Sequence, residues 1–344
     1  MIRNFKFWLG FSIIAGLIIA SFVHEIFFDS QIRQITNLYD DSGTLVDSAP
    51  VEPSFKFPLG TDMAGYDISL KVLQGAKYTL LSVIIIGFLR VIAGLIVAIP
   101  IAFYLPEKVR NGLEQLLNSF YFIPLTIISV FILSPVLIEQ LKLPEKKEYF
   151  LYSFTERVGI EIFILTILVV PLLSSLIGNL LISTLQEDFI EGAKVLGASR
   201  WRVFRKHVMP HLLPKLVIVW CQQCVQVLII FAHLGYFKLF FGGTDIDYNP
   251  MMADPPTSIS NEWSGLVGDY YNLIMAKPFI ALGPIMMFAI GIYAFQLMGE
   301  GFGQHLQTRY LHIKQVRKKN AAVESKKKAR NIKMKFSFLQ NKGA

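Results

Sequence analysis

Apolar residues gather in six runs, near 7–28, 79–105, 116–138, 160–182, 212–235 and 278–298. A membrane-spanning helix needs roughly 20 predominantly apolar residues, and each run is of that order. A spanning β-barrel would instead alternate apolar and polar positions over strands of roughly ten residues. The pattern therefore predicts an all-α, polytopic membrane protein with six transmembrane helices. Between the runs lie turn formers: Asp40-Asp41-Ser42-Gly43, Pro50, Pro53 and Pro58 in one stretch, Gly242-Gly243, Pro250 and Pro255-Pro256 in another. Such clusters break periodic structure and read as exposed loops. The first run follows a short basic stretch, Met1–Lys6, but is longer than a signal-peptide core and shows no small-x-small site near Ser21–Phe28. It is expected to stay as an uncleaved span. Three regions follow: an anchor helix with an extracytoplasmic segment over 1–78, a transmembrane core over 79–311 and a basic tail over 312–344.

Composition agrees. Of 344 residues, 53% are hydrophobic and 17% charged, where soluble domains average about 45–50% and about 25%. That balance excludes disorder, collagen and a disulfide-rich secreted scaffold. The net charge of +8 is a property of the tail: residues 301–344 hold twelve Lys or Arg against one acid, Glu324, leaving −3 for the rest. With both termini in the cytoplasm, 22 Lys and Arg fall inside and 10 outside, with Arg90 within a run. The bias sets the orientation, termini inside. The tail itself suits a topology anchor attracted to anionic inner-leaflet lipids rather than a nucleic-acid partner.

One polar interval carries a distinctive design. In Glu187-Asp188-Phe189-Ile190-Glu191-Gly192-Ala193-Lys194-Val195-Leu196-Gly197-Ala198-Ser199-Arg200-Trp201, the positions Phe189, Ala193 and Leu196 recur at helical spacing beside Ile190 and predict one apolar face. Acids occupy the first turn, where they complement the helix dipole. Gly197 should end this helix and Ser199 should cap a second, basic one running to Met209-Pro210. A short amphipathic helix, a bend and a basic helix form a surface that can dock on a cytoplasmic partner. An ordinary loop obeying the positive-inside bias has the same composition.

Other residues offer less. Cys221-Gln222-Gln223-Cys224 puts two thiols on one helix face, but no third or fourth metal ligand is near. With Gln226, these glutamines suggest a pore-facing or interhelical polar patch. Arg90 lies within an apolar run, where a charge must face protein or water. A pore or subunit-interface position stands beside a structural contact to helix carbonyls or to another subunit. The six histidines are scattered without metal spacing, no Gly-x4-Gly-Lys-Ser/Thr phosphate cradle occurs, and no nucleophile–base or paired-carboxylate arrangement stands out. Apart from Arg90, no ionisable residue is expected near a span centre, which argues against an ion-coupled secondary transporter.

Glu191-Gly192-Ala193-x3-Gly197-x9-His207-Val208-Met209-Pro210, followed by Pro214, closely resembles the EAA loop of ABC importer permeases. Pro58-Leu59-Gly60-Thr61-Asp62-Met63-Ala64-Gly65-Tyr66-Asp67 is similar to the family's segment before the second span, with Tyr66 in place of the usual Arg. Pro255-Pro256-Thr257 with Trp263-Ser264-Gly265 is similar to its loop before the sixth. Gly235–Gly243 departs from the family's usual stretch after the fifth span. Three motifs in order, over about residues 56–311, resemble the C-type permease subunit of oligopeptide and dipeptide ABC importers. The resemblance implies a type I importer fold with a cytoplasmic coupling loop, in a bacterial cytoplasmic membrane. Glu187, Phe189, Glu191, Gly192, Ala193, Leu196, Gly197, Ala198, Trp201 and Pro210 would couple to the ATPases, and Arg90, Gln222 and Gln226 would face the pore or a subunit interface. The implied partners are a paralogous permease, two ATPase subunits holding ATP and Mg, an extracytoplasmic substrate-binding protein and membrane lipids. This chain would be non-catalytic and bind no cofactor. Nickel or another small solute is the alternative cargo, and a membrane scaffold or sensor without transport is the alternative class.

Overall fold

The structure is a computed structural model and describes residues 4–39, 45–138, 140–142, 147–245, 257–258 and 260–307. The turn Asp40–Gly43, the prolines at 250, 255 and 256 and the basic tail 312–344 lie outside the described residues. Among the described residues, four helices are long and apolar enough to cross a membrane, and two bent pairs bring the number to six if each pair is one span.

Helix α1 (Phe5–Phe28) is capped by the Asn4 side chain and ends at Asp29 in the left-handed conformation. It lies along α2 (Ile68–Tyr104) and α11 (Pro278–Gln307). Lys6 pairs with Glu300 at 2.9 Å near the N-terminal end of α1, and Glu25 pairs with the buried Lys77 at 3.0 Å near the other. Helix α2 starts well before the apolar run at 79 and passes through residue 78, where the sequence boundary falls. Its early start has a local cause. Asp67 caps the first turn by accepting from Ser69 N, and the polar residues of the extra turns find partners on α1 and in the preceding loop.

The run 116–138 is not one straight helix. It divides into α3 (Glu107–Ser119), a 3-10 turn at Phe120–Phe122 and α4 (Leu125–Leu137), bent by 73°. Pro124 has no amide to continue the ladder, and α3 is an amphipathic helix with no buried residue. The run 160–182 likewise divides into α5 (Phe154–Ile167) and α6 (Val170–Leu185), bent by 47° ahead of Pro171.

Next come α7 (Asp188–Val195), α8 (Arg200–Val203), a π turn at Phe204–Val208 and α9 (Met209–Tyr236). The short α10 (Trp263–Tyr270) leads to α11. It packs against α9 so closely that a Cβ at Gly235 would overlap the Ser264 carbonyl. Trp263, fully buried, donates its backbone N–H to Thr79 Oγ1 at 3.0 Å and its ring N–H to the Val72 carbonyl at 2.9 Å. The all-α expectation holds for the membrane body. Among the described residues the loops add three two-stranded antiparallel sheets, β1 (Asn37–Tyr39) with β2 (Leu45–Ser48), β3 (Gln140–Lys142) with β4 (Lys147–Tyr149), and β5 (Thr244–Asp245) with β6 (Thr257–Ser258).

Two apolar clusters hold the body together. One joins α2, α9, α10 and α11 around Leu80, Phe231, Trp263 and Phe295. The other joins α2, α6 and α9 around Ala98, Ile177 and Leu212, and it also receives Ile190 and Val203 from the polar interval.

Candidate functional site

The interval 187–208 forms the two-helix unit that its spacing predicts. Asp188 and Glu191 stand in the first turn of α7. Its end is a Schellman arrangement: Gly197 N donates to the Lys194 carbonyl at 2.9 Å and Ala198 N to the Ala193 carbonyl at 3.1 Å. Gly197 has φ +80°, and nothing lies within 4 Å of where its Cβ would stand. Glycine is needed there for its backbone conformation rather than for space. Ser199 caps α8 by accepting from Arg202 N. The π turn then carries the chain into α9, so that Val203, Phe204, Val208 and Leu212 all reach the core.

The single apolar face expected on α7 is divided. Ile190 (0% exposed) and Ala193 point into the core, and Phe189 packs against the His211 ring at 4.8 Å. Leu196 (89%), Val195 (88%) and Trp201 (66%) point outward. Leu196 is the C-cap residue, so the helix has turned out of the inward face by the time it is reached. Glu187, Glu191, Gly192 and Pro210 are exposed as well, and a side chain at Gly192 would meet nothing within 4 Å. The inward half anchors the unit, and the outward half is a bare apolar surface bordered by acids on α7 and by Arg200, Arg202, Arg205 and Lys206.

Arg90 on α2 is held against α5 and α9. It is 1% exposed inside this chain, where Nε donates to the Leu165 carbonyl at 2.8 Å and Nη1 to Gln226 Oε1 at 3.4 Å. Gln226, half-buried, contacts Arg90 within the chain, and the bond to Leu165 is a structural contact of Arg90 to a helix carbonyl. Gln222 is the exposed member of the patch. With Gln296 and Glu300 it lines a cavity of about 670 Å³ between α9 and α11.

Two carboxylate sites escape a sequence reading. Glu161, 1% exposed within α5, accepts from Gly242 N at 3.2 Å, while Arg157 donates to the Gly242 carbonyl at 2.7 Å. Glu161 is thus a further ionisable residue buried within the apolar runs, at the start of the run 160–182 rather than near a span centre, and its isolated position in Ile160-Glu161-Ile162 was the available signal. Glu262, fully buried, caps α10 by accepting from the amides of Ser264 and Gly265, and burial holds its carboxyl above the usual range. The segment before α2 is organised around Asp62. Its carboxylate accepts from Ala64 N and Tyr66 N, from Lys71 Nζ at 2.6 Å and from Tyr270 O–H at 3.0 Å. Tyr66 lends its ring face to Lys71, 4.8 Å from the centroid. The motif residues here hold loop, α2 and α10 together. Asp269 beside them has a carboxyl raised to about 7 by burial, against the pull of Lys238 and Lys71.

Comparison with known proteins places this geometry. Residues 90–240 match the family described as "Binding-protein-dependent transport system inner membrane component". A glutathione transport system permease protein, GsiD, of Escherichia coli O1:K1 / APEC is 24% identical over 260 residues, 75% of this chain and 74% of that one. GsiD of Pectobacterium atrosepticum is 22% identical over the same length. GsiD of Shigella dysenteriae serotype 1 is 26% identical over 132 residues, which is 38% of either chain. A chain of the MetNI methionine ABC transporter, in an inward-facing conformation, superposes with a TM-score of 0.47 and 18% identity, covering 66% of this chain and 92% of that one. The family match covers residues 90–240, which hold the bent α5–α6 pair, the two-helix unit at 188–203 and α9, so this part of the chain is similar to the inner-membrane components of binding-protein-dependent transport systems.

Proposed function

We propose that this chain is the C-type permease subunit of an ABC importer for oligopeptides or dipeptides, with both termini in the cytoplasm. The observation that carries the reading is the two-helix unit at 188–203. Ile190 and Val203 root it in the second apolar cluster, while Val195, Leu196 and Trp201 stand bare on its outer side. An exposed apolar surface with a polar rim is the signature of a protein–protein contact. Its occupant in this reading is an ATPase subunit, two of which work with this chain, a paralogous permease and an extracytoplasmic substrate-binding protein. ATP and Mg belong to the ATPases.

The geometry suits transmission of movement. A push on Leu196 or Trp201 cannot be absorbed by the core-anchored Ile190, so it passes to α6 and, through the π turn, to α9. Helix α9 and its neighbours then alternate between inward-open and outward-open arrangements. The relatives' names concern glutathione, a small peptide, which favours peptide cargo over nickel. The test is affinity purification of the tagged chain from membranes of its own cell, followed by assay of labelled di- and tripeptide uptake. ABC ATPases should copurify, and deletion of the chain should abolish uptake. A chain purified without any ABC ATPase would overturn the reading, and uptake lost for nickel alone would replace the cargo.

A further inference from the structure

The second cavity, about 900 Å³, lies between the end of α1 and the first turns of α2, remote from the docking unit. Its wall has two tones. Val23 and Phe27 of α1 and Leu70 and Leu73 of α2 form an apolar side, and Asp29 and Arg33 form a polar end. Between them sits His24, 6% exposed, with its ring stacked on Phe28 and its Nδ1 atom without a hydrogen-bond partner. A buried polar atom without a partner, lining a cavity, marks a place for a ligand able to hydrogen-bond.

The surroundings define the ligand. Helix α1 is the least buried of the four unbroken candidate spans, 17% of its window against 44–50% for the others. Ile19, Phe22 and Ile26 continue the apolar wall, bare, along the helix. With α1 as a membrane span, that bare surface is the part of the helix open to lipid. The apolar run ends at Phe28 and polar residues follow, so the cavity straddles the boundary between hydrocarbon and headgroups. Arg33 is fixed at this level: Nη2 donates to Asp67 Oδ2 at 2.8 Å and to the Lys56 carbonyl at 2.5 Å, and the guanidinium covers the Phe57 ring, while its side chain stays 42% exposed. Because Asp67 already offsets that charge, the site is not net cationic. One accessible guanidinium and one exposed carboxylate, Asp29, match a headgroup bearing both phosphate and ammonium.

We infer that this cavity is a specific site for a zwitterionic aminophospholipid. Its phosphate meets Arg33, its ammonium meets Asp29, its glycerol ester region meets His24, and an acyl chain lies along Val23, Phe27 and Leu73. The site depends on α1 being a membrane span and not on the identity of the cargo.

The test uses the full chain with its copurifying partners, delipidated in mild detergent and offered phosphatidylethanolamine or phosphatidylglycerol, with retained lipid counted by native mass spectrometry. Wild type should keep one phosphatidylethanolamine in preference to phosphatidylglycerol. Losing a charged hydrogen bond should cost about tenfold in retention for Arg33→Gln, with a similar fall for His24→Leu. Leu73→Trp fills the apolar half without touching a polar group and should also abolish retention, so the test survives if the polar variants misfold. Lys6→Gln, at the other end of α1, should retain lipid as wild type does. Equal retention by wild type and Leu73→Trp, or no preference between the two lipids, would overturn the site.

Discussion

Arg90 Nε donates to the carbonyl oxygen of Leu165, 2.8 Å away, at the bend between α5 and α6. In an unbroken helix that carbonyl would accept from Val169 N, but Val169 donates to Thr166 instead. The bend frees a carbonyl inside the membrane body, and a buried guanidinium from α2 satisfies it. Non-helical backbone at membrane depth is tolerated only where protein or water takes up its polar groups.

Arg90→Met should therefore leave that carbonyl orphaned and lower stability by about 1–3 kcal/mol. Thermal unfolding of the detergent-purified chain reads this directly. ATPase copurification should survive, since the docking unit is elsewhere, and an unchanged midpoint would refute the capping role.

At Gly197 the left-handed conformation, rather than crowding, is the constraint. Gly197→Val should abolish uptake while all spans remain inserted, and Gly197→Asn should retain much of the wild-type rate because Asn tolerates positive φ. Membrane levels by immunoblot and uptake rates separate the two. Wild-type transport by Gly197→Val would defeat the argument.

The divided apolar face of α7 predicts opposite outcomes for two similar substitutions. Leu196→Asp changes an outward residue and should leave expression and melting unchanged while ATPase copurification falls. Ile190→Asp places a charge in the second apolar cluster and should reduce the folded protein itself. If Leu196→Asp binds ATPases normally, the outer face is not the docking surface.

Asp269 supplies a pH dependence. Burial raises its carboxyl from 3.8 to about 7, with Asp62 and Glu262 adding to the shift and Lys238 and Lys71 opposing it. A raised folded-state pKa contributes stability that is fully present below the unfolded value and lost as pH rises through about 7. Asp269→Asn should melt like wild type near pH 4 and above it at pH 8. Parallel melting curves at both pH values would contradict this.

Orientation is open to labelling. Met63→Cys, on the loop before α2 and 58% exposed, should react with an impermeant thiol reagent added to intact cells. Val195→Cys should react only after the membrane is opened. Reaction of Val195→Cys from outside would invert the topology.

What the chain shows by itself is local. Runs of apolar residues mark the membrane segments, and Gly197, directly after Ala193-Lys194-Val195-Leu196, marks where α7 stops: the Schellman turn at Gly197 and the Ser199 cap are set by neighbours within a few positions. Prolines 124 and 171 stand at the bends, but the apolar runs around them read as unbroken spans. Tertiary structure decided the rest. It turned Arg90 and Gln226 inward, buried Glu161 against Gly242, split Ile190 from Leu196, and extended α2 to Asp67 by supplying partners for Lys71 and Lys77. In a membrane, lipid tails are as apolar as a leucine core. An apolar pattern therefore announces a span but not which side of it meets protein, and a polar residue within it reveals its role only when the packed neighbours are known.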